Sequence, residues 1–111
     1  MTVDFLLAGQ HFMALNGGPG RPFTEAISLM VSAENQDEVD MLWNKLTANG
    51  GQESRCGWLK DPYGLSWQII PARFGEIMRE GDPERTPRVF QAMMTMTKLD
   101  VAQLEKAYRG R

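Results

Sequence analysis

Few side chains in this 111-residue chain could do chemistry alone. There is one histidine, His11. An imidazole titrates near neutrality and could act as a general base. No orienting partner stands near it in the sequence, so a surface or edge-strand histidine without a chemical role is expected. Cys56 is the sole cysteine and has no disulfide partner. Arg55 beside it could favour a thiolate, but its surroundings read as a strand, so a packed thiol is expected. Glu25 and Glu53 could serve as carboxylate bases, or simply as solvated charges at strand ends. Met93, Met94 and Met96 offer soft thioethers, which read as adaptable core or subunit-interface packing rather than as a metal site. The run Asn16-Gly17-Gly18-Pro19-Gly20 lacks the spacing and the following helix of a phosphate-binding loop, so it reads as a plain connection.

The elements that must position these residues follow from periodicity. Val3, Phe5 and Leu7 alternate as in a strand, Ala8-Gly9-Gln10 makes a turn, and His11 to Asn16 returns as a second strand. Ala26 to Ser32 is a third strand, with Ile27, Leu29 and Val31 on one face and Ser28 and Met30 on the other. Asn35 followed by Glu38 is a capping-box arrangement. Val39, Leu42, Trp43 and Leu46 then recur at helical spacing, which makes Trp43 a core residue. Asn49-Gly50-Gly51 supplies a left-handed stop. Gln52 to Ser54, Cys56 to Lys60 and Leu65 to Ile70 are short strands, the last entered through the turn Asp61-Pro62-Tyr63-Gly64. The tail holds up to three helices. Phe74 to Arg79 stops at Gly81, Asp82 or Thr86 caps the next, and Asp100 caps the last. Leu99 and Leu104 of that last helix are spaced as a hydrophobic staple.

The bulk numbers exclude several classes. A chain of this length forms one domain at most. It carries a net charge of -2 with both signs interspersed, so no basic stripe points to nucleic acid. No apolar run approaches the roughly 20 residues that cross a membrane. The first residues lack the basic start of a signal peptide. With the unpaired cysteine, this leads us to expect a reducing cytoplasm.

The segment Asp61-Pro62-Tyr63-Gly64-Leu65-Ser66-Trp67-Gln68-Ile69 carries a specific resemblance. It is similar to the Asp-Pro-x-Gly-x-x-x-Glu-aliphatic turn and strand of the vicinal-oxygen-chelate superfamily, the glyoxalase and bleomycin-resistance type. The stretches Gly9 to Pro19, Phe23 to Ser28 and Cys56 to Pro71 resemble its PhnB-like branch, and so does the helical tail. The implied fold is α+β. One complete βαβββ module, residues 24–71, follows a β-hairpin, residues 1–16, from an incomplete first module, and a helical tail spans residues 72–111. Relative to a two-module member, the first strand, first helix and second strand are expected to be missing, through a shortened gene or a naturally compact form. That loss would expose a strand edge. The resemblance therefore leads us to expect a homodimer, possibly strand-exchanged, in which a second copy covers the edge.

Enzymes of the superfamily hold a divalent metal with His and Glu ligands on strands of both modules, and the metal polarises vicinal oxygens of the substrate. Carried over residue by residue, the Glu position is Gln68, the third-strand His position falls near Ser28, and the second-strand position is Phe12 or Ala14. We therefore expect no metal and no cofactor. Some members of the branch bear the name demethylubiquinone methyltransferase, but no Gly-rich strand-to-helix loop for an adenosyl cofactor is present. The expected activity is metal-independent binding of a small apolar or aromatic molecule. Its site would comprise Phe12, Met13, Ser28, Met30, Trp58 and Gln68. Two other readings stay open: a metal-dependent lyase, isomerase or dioxygenase, and a shortened remnant without activity.

Overall fold

The chain's architecture is seen in a computed structural model, which describes residues 1–110; the last residue of the expected tail, Arg111, lies outside them. The elements run β1 (Thr2–Leu7), β2 (Gln10–Leu15), β3 (Ser28–Ala33), α1 (Gln36–Thr47), β4 (Gln52–Glu53), β5 (Trp58–Lys60), β6 (Ser66–Pro71), α2 (Ala72–Glu80), α3 (Arg85–Met94) and α4 (Val101–Arg109). This is the α+β arrangement expected: a hairpin, a β-α-β-β-β unit and helices.

In the β-α-β-β-β unit, β3 pairs parallel with β6, which pairs antiparallel with β5, and β5 with β4, giving the order β3-β6-β5-β4. A parallel neighbour needs a crossover, and α1 supplies it. Asn35 caps α1, its Oδ1 accepting from the Glu38 amide at 2.9 Å. Helix α1 ends at the extended Ala48, and Asn49 in the turn beyond it takes φ 57°, in the left-handed region that asparagine tolerates. One sheet face packs on α1 through Ala33, Val39, Trp43, Leu59 and Ile69, all buried. Trp43 is core, as its spacing predicts.

Asp61 builds the turn into β6. Its Oδ1 accepts from the Tyr63 and Leu65 amides at 2.9 and 3.0 Å, and its Oδ2 from the Trp67 indole at 3.0 Å. Gly64 takes φ 90°, a conformation that favours glycine. The acid of the motif therefore orders the strand.

The tail forms a second core of Ile77, Val89, Met93, Leu99 and Leu104. Helix α2 extends to both sides of the expected range and ends at Gly81 in the left-handed region. Asp82 accepts from the Glu84 and Arg85 amides at the start of α3. Those bonds, Arg85 first, hold its carboxyl below the usual range. Asp100 caps α4, accepting from the Gln103 amide at 3.1 Å, and the staple residues Leu99 and Leu104 are both buried. Gln36 bridges the two cores, donating to the Leu99 carbonyl at 3.1 Å and accepting from the Val101 amide at 2.7 Å. On the outer face, Arg73 is paired with Glu105 and lies over the Tyr108 ring.

Among the strands, three differences from the sequence reading have a visible cause. Strand β3 begins at Ser28 rather than Ala26, because Thr24 to Ala26 forms a side-chain-stabilised turn in which Thr24 Oγ1 accepts from the Ala26 amide. Strand β2 is shifted one residue earlier, since the hairpin turn is Ala8-Gly9 alone, both at positive φ. Cys56 lies in a turn before β5 at φ 60°, not in a strand. Its amide and that of Gly57 donate to the Met96 and Thr97 carbonyls at 2.8 Å, which pulls the chain out of the ladder.

The β1–β2 hairpin forms a sheet of its own. Val3, Phe5, Leu7, Phe12 and Ala14 share one face by register, and Phe5 stacks on Phe12 with ring centroids 5.5 Å apart. All of its residues are exposed apart from half-buried Phe12. The Cα radius of gyration is 16.1 Å, against about 13 Å for a compact domain of this length, and the long axis extends 54 Å.

Candidate functional site

Register places the chemistry of the sheet on two different faces. Residues Leu29, Val31, Leu59, Trp67 and Ile69 turn toward α1. Ser28, Met30, Trp58, Ser66, Gln68 and Ile70 therefore occupy the opposite face, since side chains alternate along a strand. Gln68 stands in the middle, paired across the ladders with Met30 on one side and Trp58 on the other. Its amide nitrogen donates to Ser28 Oγ at 3.0 Å.

This face floors an open cleft of about 920 Å³. Phe74 and Met78 of α2 wall it, with Phe90, Met93 and Met94 of α3. The lining is mostly apolar. Glu25, Arg55, Lys60 and Arg79 supply its charges, and Glu25 is paired with Lys60 at 2.9 Å. Cys56 also lines it, its sulfur 3.8 Å from Met94 Sδ and 3.7 Å from the Met94 carbonyl.

Of the six residues expected to form a site, the structure brings four together: Ser28, Met30, Trp58 and Gln68 share the sheet face, and the last three line the cleft. It does not bring Phe12 and Met13 to them. Both stand on the separate hairpin, and on its opposite faces. His11 is exposed there, paired with Leu6. Glu53 lies outside the cleft and accepts from the Trp43 indole at 2.7 Å. Sequence reasoning missed the helical walls and Arg79, and it placed Arg55 beside Cys56 without assigning it to a site. The signal was present in α3, where Phe90 and Met94 form an exposed apolar stripe beside the buried Val89 and Met93.

A divalent metal does not fit the residues here. The positions where the superfamily places ligands hold a neutral amide and a hydroxyl bonded to each other, Gln68 and Ser28. Among the described residues no three His, Cys, Asp or Glu side chains stand together.

The fold and this cleft define a vicinal-oxygen-chelate-like protein of the PhnB type. Residues 1–70 match the family model described as 3-demethylubiquinone-9 3-methyltransferase, and the chain belongs to that family. A solved structure of the PhnB protein from Bacillus cereus, which carries the same 3-demethylubiquinone-9 3-methyltransferase name, is similar at 33% identity with a TM-score of 0.60. The match covers 65% of this chain, and this chain spans 64% of that one. A crystal structure of a protein from Pseudomonas aeruginosa is similar at 17% identity and a TM-score of 0.52, over 64% of this chain and 62% of the other, a likeness of fold. No curated protein matches the chain. No helix among the described residues is long and apolar enough to cross a membrane.

Proposed function

We propose that this chain is a metal-independent binding module for a small apolar or aromatic molecule, and that it works as a homodimer. The carrying observation is the cleft over Met30, Gln68 and Trp58. Its volume of about 920 Å³ lies within the range of small-molecule sites, roughly 300–1,000 Å³. Aromatic and thioether groups supply most of the contact, and Gln68 and Ser66 supply polar points of orientation. Thioethers adapt to shapes that aliphatic groups cannot follow.

Methyl transfer, which the family's name suggests, finds no support in the strand-to-helix junctions. The β3–α1 connection is Glu34-Asn35, without glycine, and β6 runs straight into α2 at Pro71-Ala72. Neither offers the glycine-rich turn through which a backbone approaches a nucleotide cofactor.

The exposed hairpin supports the dimer. Val3, Phe5 and Leu7 are 52%, 42% and 42% exposed on one face of a two-stranded sheet. An isolated hairpin is marginal in water, and an apolar face of this kind marks an interaction surface. A second copy is the proposed cover.

Both parts are open to direct test. Titration with neutral naphthalene derivatives, followed by tryptophan fluorescence, should show saturable binding of one molecule per chain. Trp58→Phe should abolish most of the signal change, and EDTA should leave the affinity unchanged. Absence of saturable binding, or an affinity abolished by EDTA, would overturn the binding assignment. A monomer at micromolar concentration by light scattering would overturn the dimer.

A further inference from the structure

We infer that the cleft selects an anionic aromatic ligand, a flat apolar body bearing a carboxylate or similar group, and that Arg55 and Arg79 hold the anion. The inference rests on the binding assignment above and goes one step further, to the charge of the ligand.

The charge around the cleft is the first argument. The whole chain is net -2, yet the lining carries three cations, Arg55, Lys60 and Arg79, against one carboxylate, Glu25. Glu25 is already engaged with Lys60 at 2.9 Å. Arg55 and Arg79 form no ion pair with any described acid. Two guanidiniums thus stand uncompensated on the wall of an apolar cleft. Guanidinium also suits planar oxyanions and stacks on aromatic rings, so it is matched to a ligand that is both.

The second argument is Gly75. It lies inside α2 with ordinary helical φ, where glycine is unfavourable relative to alanine. No backbone need explains it. A Cβ at Gly75 would stand 3.3 Å from Arg79 Nη1. The guanidinium therefore lies back along the helix over the glycine, and Gly75 itself lines the cleft. The missing side chain leaves room for the exposed Arg79 head group to lie against the helix at the cleft wall.

Arg55 is placed by different means. It sits in the turn whose next two residues, Cys56 and Gly57, are bonded to the Met96 and Thr97 carbonyls. The turn is fixed to the end of α3, so Arg55 is carried on an ordered backbone beside Trp58.

The test compares three naphthalene probes of one shape: naphthaleneacetic acid, its neutral amide and the corresponding amine. Affinities are measured by fluorescence at two salt concentrations. The acid should bind about tenfold tighter than the amide, since each exposed ion pair contributes about threefold. That preference should shrink at high salt as the charges are screened. Arg55→Gln and Arg79→Gln should each remove about threefold of the acid-over-amide preference. Arg109→Gln, which alters net charge equally on α4, should leave it unchanged. If the amide or amine binds as tightly as the acid, or the preference survives in both single variants, the anion assignment is overturned while the binding assignment stands. If none of the three probes binds, both fall.

Discussion

Glu53→Ala tests whether an exposed carboxylate on the edge strand β4 is structural or chemical. By sequence Glu53 is a candidate base. In the structure its Oε1 accepts from the indole N–H of Trp43, at 2.7 Å, and Trp43 is 2% exposed. Removing the carboxylate leaves a core N–H without its partner. Such a loss costs about 1–3 kcal/mol. Glu53 itself is exposed, so water can reach the vacated position, and the expected cost lies toward the lower end, about 1–1.5 kcal/mol. In a domain of this size that lowers the melting temperature by roughly 5 °C. Glu53→Gln keeps a carbonyl acceptor without its charge and should lose about half as much. Urea denaturation followed by fluorescence measures the stability, and titration with the neutral naphthalene probe measures the cleft. Glu53→Ala should lower the urea midpoint and leave probe affinity within twofold. If stability were unchanged, or if Gln were as damaging as Ala, the hydrogen-bond argument would be wrong. Loss of probe binding in a variant of normal stability would return Glu53 to the list of functional groups.

Asp61→Ala should cost more, about 2–3 kcal/mol, because three donors lose one acceptor together; the near-ultraviolet circular dichroism of Trp67 should change with it. Asp40 is held below its usual value of 3.8, first by the Lys98 ammonium and then by the Gln36 amide. A lowered folded-state pKa gives stability that is present above 3.8 and lost as pH falls through the folded value. Asp40→Asn should therefore flatten the acid limb of a stability–pH curve measured by urea unfolding, leaving the share that Asp82 contributes with the same sign. Gln68→Glu should not create a divalent-metal site detectable by calorimetry with manganese or nickel, since a single carboxylate beside Ser28 lacks further ligands; micromolar binding would show that the fit was misjudged.

Local signals made most of the fold legible. The cap of α1, the Asp61 turn, Gly81 and the Asp100 cap each involve residues within four positions of one another, so their partners are visible in the string. The faces of β3 and β6 were legible for the same reason, because alternation is local, and it placed Ser28, Met30 and Gln68 on one side. What could not be read depends on residues far apart. Cys56 looks like a strand residue until Met96, forty positions on, claims its amide. Phe12 and Met13 satisfy the pattern of a site-bearing strand, but nothing in that pattern says that the hairpin forms its own sheet. The helical walls were missed because an apolar stripe on α3 has two possible uses. Val89 uses it for the core, Phe90 and Met94 use it for the cleft, and Met93 serves both.

The turn at Cys56-Gly57 explains why the cleft is built into the fold. Gly57 has φ +85° and lies where a Cβ would come within 3.2 Å of the Ile69 carbonyl and of the Ile70 and Leu99 side chains. A glycine is required there by conformation and by space together. Its own carbonyl accepts from the Ile69 amide, and its amide donates to Thr97, so one residue joins β6 to the segment between α3 and α4. The sheet core and the tail core meet at this point, and Gln36 joins them again through Leu99 and Val101. With the two cores fixed to each other, Trp58 on the sheet and Met94 on α3 are held on opposite sides of the same gap. Under the proposed binding function a ligand need not order the walls, a cost that otherwise weakens association. The adaptable part of the site is confined to the thioethers and to the arginine head groups, while the backbone that carries them is set by folding.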